Sequence, residues 1–232
     1  MSRIHLPLLA LVGGLAVLPA AASPLSVATV GAPAINCVFS HPVNGHCTVA
    51  VTDSIGTIAL PFGVSGVGRV QSRTFVGAAG TAGAGMTAYE YRVDLIGAVS
   101  NGEVPCVTDL QIEFGATVKL PYKATSAKFD IYVITSGGTG TVGVFSAERT
   151  GNSVDIVFNQ PVCAGPSPGT GLSSYFVGLA SAGVPRSVVA HVGWPGLNPI
   201  SVQARGPVLP RGVPLKRVPL TPKPAPLLPR PH

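Results

Sequence analysis

The chain has 232 residues, 29 of them glycine and 23 proline, with only 10% charged residues and 6% aromatic residues. Its net charge of +6 does not mark a nucleic-acid-binding surface on the fold. All nine acidic residues and nine of the fifteen Lys and Arg precede Pro195, so the whole excess sits in the last 38 residues (Arg205, Arg211, Lys216, Arg217, Lys223 and Arg230).

The N-terminus reads as an export signal. Arg3 and His5 form a short polar start, an apolar stretch follows from Leu6 to Leu18, and Ala20-Ala21-Ala22 supplies small residues for cleavage before Ser23. The apolar stretch is too short to cross a bilayer of about 30 Å as a helix, and no later segment approaches the ~20 apolar residues a span needs. The absence of Cys at the cleavage point argues against a lipoprotein. Residues 1–22 are therefore expected to be a signal peptide and 23–35 a linker. A single domain is expected over 36–194 and a basic proline-rich tail over 195–232. The expected location is secreted, periplasmic or at the cell surface, and the abundance of Ala, Gly, Val and Pro with little Lys suits a bacterial exported protein.

Cys37, Cys47, Cys106 and Cys163 form an even set in an exported chain, and two disulfides are the natural outcome. Three pairings are possible. Cys37–Cys47 with Cys106–Cys163 is favoured because the first pair flanks a short polar loop containing Asn44-Gly45. The second would close a loop of nearly sixty residues, worth about 4 kcal/mol in the chain-entropy view. Cys37, His41, His46 and Cys47 also have the chemistry of a zinc site. Their spacing matches no familiar zinc motif, however, and an oxidising compartment favours pairing of the thiols.

The body alternates apolar and polar residues with a period of two. Tyr89, Tyr91, Val93 and Leu95 interleave with Glu90, Arg92 and Asp94. Leu110, Ile112 and Phe114 interleave with Gln111 and Glu113, and the same pattern runs through Phe129–Val133 and Val154–Phe158. Weaker strands are expected at Thr48–Thr52, Thr57–Phe62, Arg69–Val76, Thr141–Ser146, Tyr175–Ala180 and Ser187–Gly193. Thr150-Gly151-Asn152 signals a hairpin. The glycine-rich run Gly77–Gly85 is expected to be a mobile loop. About ten short strands with no helical periodicity predict an all-β fold, an antiparallel β-sandwich or jelly roll. From Pro195, eleven prolines forbid a persistent helix or central strand, and a disordered or extended polyproline II tail is expected.

No residue pattern establishes an enzyme, a cofactor or a metal centre. Gly138-Thr139-Gly140-Thr141-Val142-Gly143 has dinucleotide-fingerprint spacing but continues into a strand instead of a helix, which makes it a glycine-rich hairpin turn. Gly63-Val64-Ser65-Gly66-Val67 misses a nucleophile elbow at its last position. Ser173 or Ser174 could act as a nucleophile only if His191 and a carboxylate met it in space. Glu90, Asp94, Glu113 and Asp130 are conceivable glycosidase carboxylates, though their strand positions read as solvated outer-face charge. Trp194 reads as a cap on the core. Pro207-Val208-Leu209-Pro210, Pro219-Leu220-Thr221-Pro222 and Pro226-Leu227-Leu228-Pro229 are P-x-x-P segments with basic neighbours, suited to a partner groove, to anionic cell-envelope polymers or to a membrane surface.

Tyr89–Leu95, Cys106–Phe114, Pro161-Val162-Cys163-Ala164-Gly165 and Ser173-Ser174-Tyr175-Phe176 together resemble uncharacterised secreted β-rich bacterial proteins, over roughly Asn36 to Val192. The resemblance implies an exported β fold and no assigned activity. The resulting expectation is a structural or binding role, with a dispersed-site hydrolase or tail-mediated partner binding as alternatives.

Overall fold

A computed structural model describes residues 21–100 and 105–208. Most of the expected signal segment, Glu103, and the chain from Leu209 onward lie outside the described residues. The described residues form fourteen strands and one helix. They are β1 (Ser23–Pro24), β2 (Val27–Gly31), α1 (Ala32–Phe39), β3 (Pro42–Val43), β4 (His46–Cys47), β5 (Thr52–Ile58), β6 (Val64–Val76) and β7 (Thr87–Ser100). They continue with β8 (Cys106–Glu113), β9 (Ile131–Ser136), β10 (Val144–Thr150), β11 (Ser153–Cys163), β12 (Phe176–Ser181), β13 (Pro185–Gly193) and β14 (Ile200–Pro207).

Two six-stranded sheets face each other. Sheet I has the order β1-β10-β11-β8-β13-β14 and sheet II the order β2-β9-β12-β7-β6-β5. Every pairing in them is antiparallel except β2 with β9. The alternating residues behave as their period requires. Tyr89, Tyr91, Val93 and Leu95 from sheet II, and Leu110, Ile112, Val154 and Ile156 from sheet I, fill the core between the sheets. Trp194 is buried in that core, as its position at the end of β13 suggests.

Both expected disulfides form. Cys106 and Cys163 face each other across the β8–β11 ladder with Cα atoms 4.0 Å apart. Cys37–Cys47 ties α1 to the β3–β4 hairpin, whose turn residues Asn44 and Gly45 both take positive φ (51° and 80°), as a type I′ turn demands. Val43 therefore pairs directly with His46.

Several expectations need correction. The 23–35 stretch is no linker. β1 pairs with β10 in sheet I, and the chain then crosses to pair β2 with β9 in sheet II before entering α1. Nor does the domain stop at Trp194. β14 pairs with β13 from Val192↔Ile200 to Pro185↔Pro207 and buries Val202 and Ala204. Its proline is tolerated because it ends an edge strand, where a missing N–H breaks no ladder. Among the weaker strands, Thr48–Val51 is not strand, β5 begins at Thr52 and ends at Ile58, and β10 begins at Val144. As an edge strand with most of its residues outside the core, β5 lacks the apolar alternation that would mark it. Gly138–Gly143 is not a hairpin turn, because β9 and β10 belong to different sheets and this segment crosses between them. Thr150–Ser153 is a two-residue hairpin, with positive φ at Gly151.

Gly77–Gly85 is pinned rather than loose. Ala78 N–H donates to Phe39 O, Gly83 N–H to Val38 O, and a Cβ at Gly83 would lie 2.4 Å from the Phe39 ring. It packs on α1 as part of a second apolar cluster on the outer face of sheet II. Ile35, Val38, Phe39, Phe75, Tyr122 and Tyr132 are members of that cluster.

Candidate functional site

The outer face of sheet II is where charge and aromatic groups converge. One register row crosses all six strands: Asp53 (β5), Arg73 (β6), Glu90 (β7), Gly178 (β12), Tyr132 (β9) and Ala28 (β2). Gly178 is the necessary gap. A Cβ there would stand 2.0 Å from Tyr132 Cζ, so the missing side chain lets the Tyr132 ring lie across β12 toward β7. Tyr132 Oη then donates to Glu90 Oε1 at 3.1 Å.

Glu90 is 2% exposed, which contradicts its reading as solvated surface charge. Burial pushes its carboxyl up to about 7, against the pull of the Tyr132 hydroxyl and the nearby Arg73 charge. Arg73 binds Asp53 through two hydrogen bonds of 2.9 and 3.2 Å and lies over the Phe176 ring, 4.7 Å from its centroid. The fork-shaped contact with Arg73 holds the Asp53 carboxyl below its ordinary value. Arg92 approaches the same ring at 5.5 Å and donates to Asp94 and Thr139. Tyr122 packs on Tyr132 with ring centroids 4.7 Å apart, and among the described residues its buried hydroxyl has no hydrogen-bond partner.

The other expected site residues are scattered. Glu90 and Asp94 point from the same face but are four residues apart on an extended strand, roughly 13 Å, with Arg92 between. That separation exceeds the ~5–9.5 Å that glycosidase carboxylate pairs use. Glu113 lies in the opposite sheet and pairs with Arg186 at 3.1 Å. Asp130 is 5% exposed, a second departure from the solvated reading. Burial would raise its carboxyl, but hydrogen bonds from Ser26, Thr117 and Lys119 outweigh that and hold it below its ordinary value.

Ser173 and Ser174 are both buried against sheet II, where Ser174 Oγ accepts the Val93 N–H at 3.0 Å. His191 lies on β13 of sheet I, on the face away from the core, with Nδ1 3.2 Å from Ser201 Oγ. The structure does not bring them together. Cys37 and Cys47 are covalently paired, so the Cys37, His41, His46, Cys47 set has no thiolates to offer a metal. His41 instead bonds the Ala79 carbonyl at 2.7 Å. Gly63-Val64-Ser65-Gly66 lies at the turn into β6 and on its outer end, not at a strand-to-helix elbow.

Sequence reading missed the Asp53–Arg73–Glu90–Tyr132 row. The signal that could have found it is Gly178 within the otherwise apolar Phe176–Ala180, because glycine in a strand interior marks a close approach by another group. Scans against protein-family models and searches of curated proteins and solved structures find no match to this chain.

Proposed function

We propose that this chain is an exported β-sandwich with a structural or binding role at the cell envelope, held to an anionic envelope component by its basic tail. The observation that carries this reading is how the folded unit fits the sequence punctuation. Among the described residues, the first strand of sheet I starts at Ser23, the residue after the expected cleavage point, and the last strand ends at Pro207, just before the last proline-rich stretch of the sequence. Arg205 belongs to β14, so the tail proper carries Arg211, Lys216, Arg217, Lys223 and Arg230 and no acid. Residues 21–208 hold nine basic and nine acidic side chains and are electrically neutral as a whole. Two disulfides suit an oxidising compartment, and the resemblance to secreted β-rich proteins points the same way. The scattering of Ser173, His191 and the carboxylates supports a role other than hydrolysis.

The test is to express the full chain in a bacterial host, sequence the N-terminus of the exported product and fractionate the cells. A start at Ser23 and an envelope-bound product are expected, with release to the medium when Leu209–His232 is deleted. Equal retention of the truncated chain would sink the tether. Deletion from Pro195 would be a poor test, because it removes β14 and with it part of the core.

A further inference from the structure

The two ends of the sandwich differ. β2, β7, β9 and β13 start at one end, and β6, β12 and β14 finish there. At this end the inward-facing rows overrun the core and finish in apolar side chains open to solvent. Val76 ends β6, Val184 precedes β13 and Val208 follows β14, exposed by 68%, 66% and 46%. Val208 N–H donates to Val184 O at 2.9 Å, so two of the three are direct neighbours. Val51, 44% exposed, stands at the start of β5 beside the same end.

The segment that enters β9 from this end carries Lys119, Lys123 and Lys128, all the lysines of the described residues. Lys119 is paired with Asp130. Lys123 and Lys128 are exposed and have no carboxylate partner among the described residues. The opposite end presents Phe62 and Leu197 and none of the lysines. Both chain extensions also leave from the lysine-bearing end. Ser23 sits beside Arg149, one residue from the β10–β11 turn, and Val208 closes the strand that runs down to it. The expected export segment and the basic tail are thus attached to the same side of the molecule.

We infer that this end is a docking face for an anionic lipid surface, with the valines entering the headgroup boundary and Lys123 and Lys128 meeting lipid charge. The inference rests on the tether proposed above and specifies its partner. A soluble anionic polymer would engage the cations alone and leave the valines in water. A bilayer satisfies both, since peripheral binding combines apolar burial with attraction to anionic headgroups.

The test uses the full exported chain. Its binding is measured to vesicles of phosphatidylglycerol and phosphatidylcholine, to vesicles of phosphatidylcholine alone, and to dextran sulfate as a soluble anionic polymer. The wild type is expected to bind the anionic vesicles and to be released by salt. Val76→Ser with Val184→Ser should weaken vesicle binding roughly tenfold while leaving dextran sulfate binding unchanged, as expected for loss of two partly buried valines. Replacing the five tail cations by Gln should weaken both interactions. Vesicle binding by the serine pair equal to wild type would overturn the inference and leave the tether standing, as would wild-type binding to dextran sulfate without binding to vesicles. Unchanged binding by the tail variant would overturn the tether itself. Val184→Trp gives a readout independent of affinity, a blue shift on adding anionic vesicles, for which Trp194, buried at the opposite end, is an internal reference. No shift there counts against the inference.

Discussion

The two sheets are built alike, yet their outer faces meet different surroundings. The outer face of sheet I is open, and His191, Gln111 and Ser201 form a polar row across β8, β13 and β14. The outer face of sheet II is half covered. α1, the 77–86 loop and the 115–129 segment pack over it and make a second apolar core of Phe39, Phe75, Tyr122 and Tyr132. The difference teaches that alternation marks which residues point away from the main core without saying what they point into. On sheet I the answer is water, and on sheet II it is protein, which is why Glu90 is buried.

Truncation inside sheet I should have the largest effect on the fold. A chain ending at Trp194 lacks β14, whose Val202 and Ala204 belong to the main core and whose Arg205 carbonyl accepts the Tyr91 hydroxyl at 2.6 Å. We expect it to lose cooperative unfolding in urea, whereas a chain ending at Val208 should unfold within about 0.5 kcal/mol of the full protein, the range of changes away from packed features. The disulfides separate the two cores. Replacing both Cys106 and Cys163 by Ser should cost about 4 kcal/mol of global stability for its separation of 57 residues. The same change at Cys37 and Cys47, separated by 10, should cost about 3 kcal/mol and raise hydrogen exchange first in α1 and the 77–86 loop. If exchange rose equally in β8 and β11, the two cores would be one unit.

Gly178→Val should cost about 3 kcal/mol, because its side chain would occupy the space of the Tyr132 ring and strip Glu90 of its hydrogen bond. Chemical denaturation would measure it, and a cost under about 1 kcal/mol would show that Tyr132 has another way to reach Glu90.

A pH profile sharpens the same point. The Glu90 carboxyl is raised from 4.5 to about 7 by folding, so the folded protein holds a proton that the unfolded chain releases between those values. Stability should therefore fall as pH rises from about 4.5 to 7 and level off above, by up to about 3 kcal/mol before other groups are counted. Arg73, Asp53 and Tyr132 face this carboxyl and keep their charge states across that range. Glu90→Gln should flatten this part of the profile and stabilise the protein at pH 8. A slope unchanged in the variant would place the titration elsewhere.

What could be read from the chain follows the same division. Tyr89–Leu95 and Val154–Phe158 announced the main core because each strand carries its own alternation. Both disulfides were legible from the even cysteine count, the Asn44-Gly45 turn and the expectation of export. The second core was not, because its contributors, Ile35, Phe39, Gly83 and Tyr122, come from short segments far apart in the chain, none periodic alone. β14 was hidden by Pro207, by Pro199 just before it and by Arg205, which resemble the tail that follows. Only its partner β13 reveals that residues 200–207 pack. Glu90 and Asp130 were misread for one reason: acidic residues on alternating strands are solvated unless something covers them, and the cover lay elsewhere.

The approach of β14 to sheet II has a consequence for self-association. A Cβ on Gly56 of β5 would lie 2.0 Å from the Gln203 carbonyl oxygen, and Ser72 Oγ accepts the Arg205 N–H at 3.1 Å. The two sheets are thus sutured where strands at an open border would otherwise invite a further strand from another molecule. Growth into fibrils by continuing the hydrogen-bond ladder is blocked along this seam, so crowding many such molecules on one surface need not convert them into aggregates by that route.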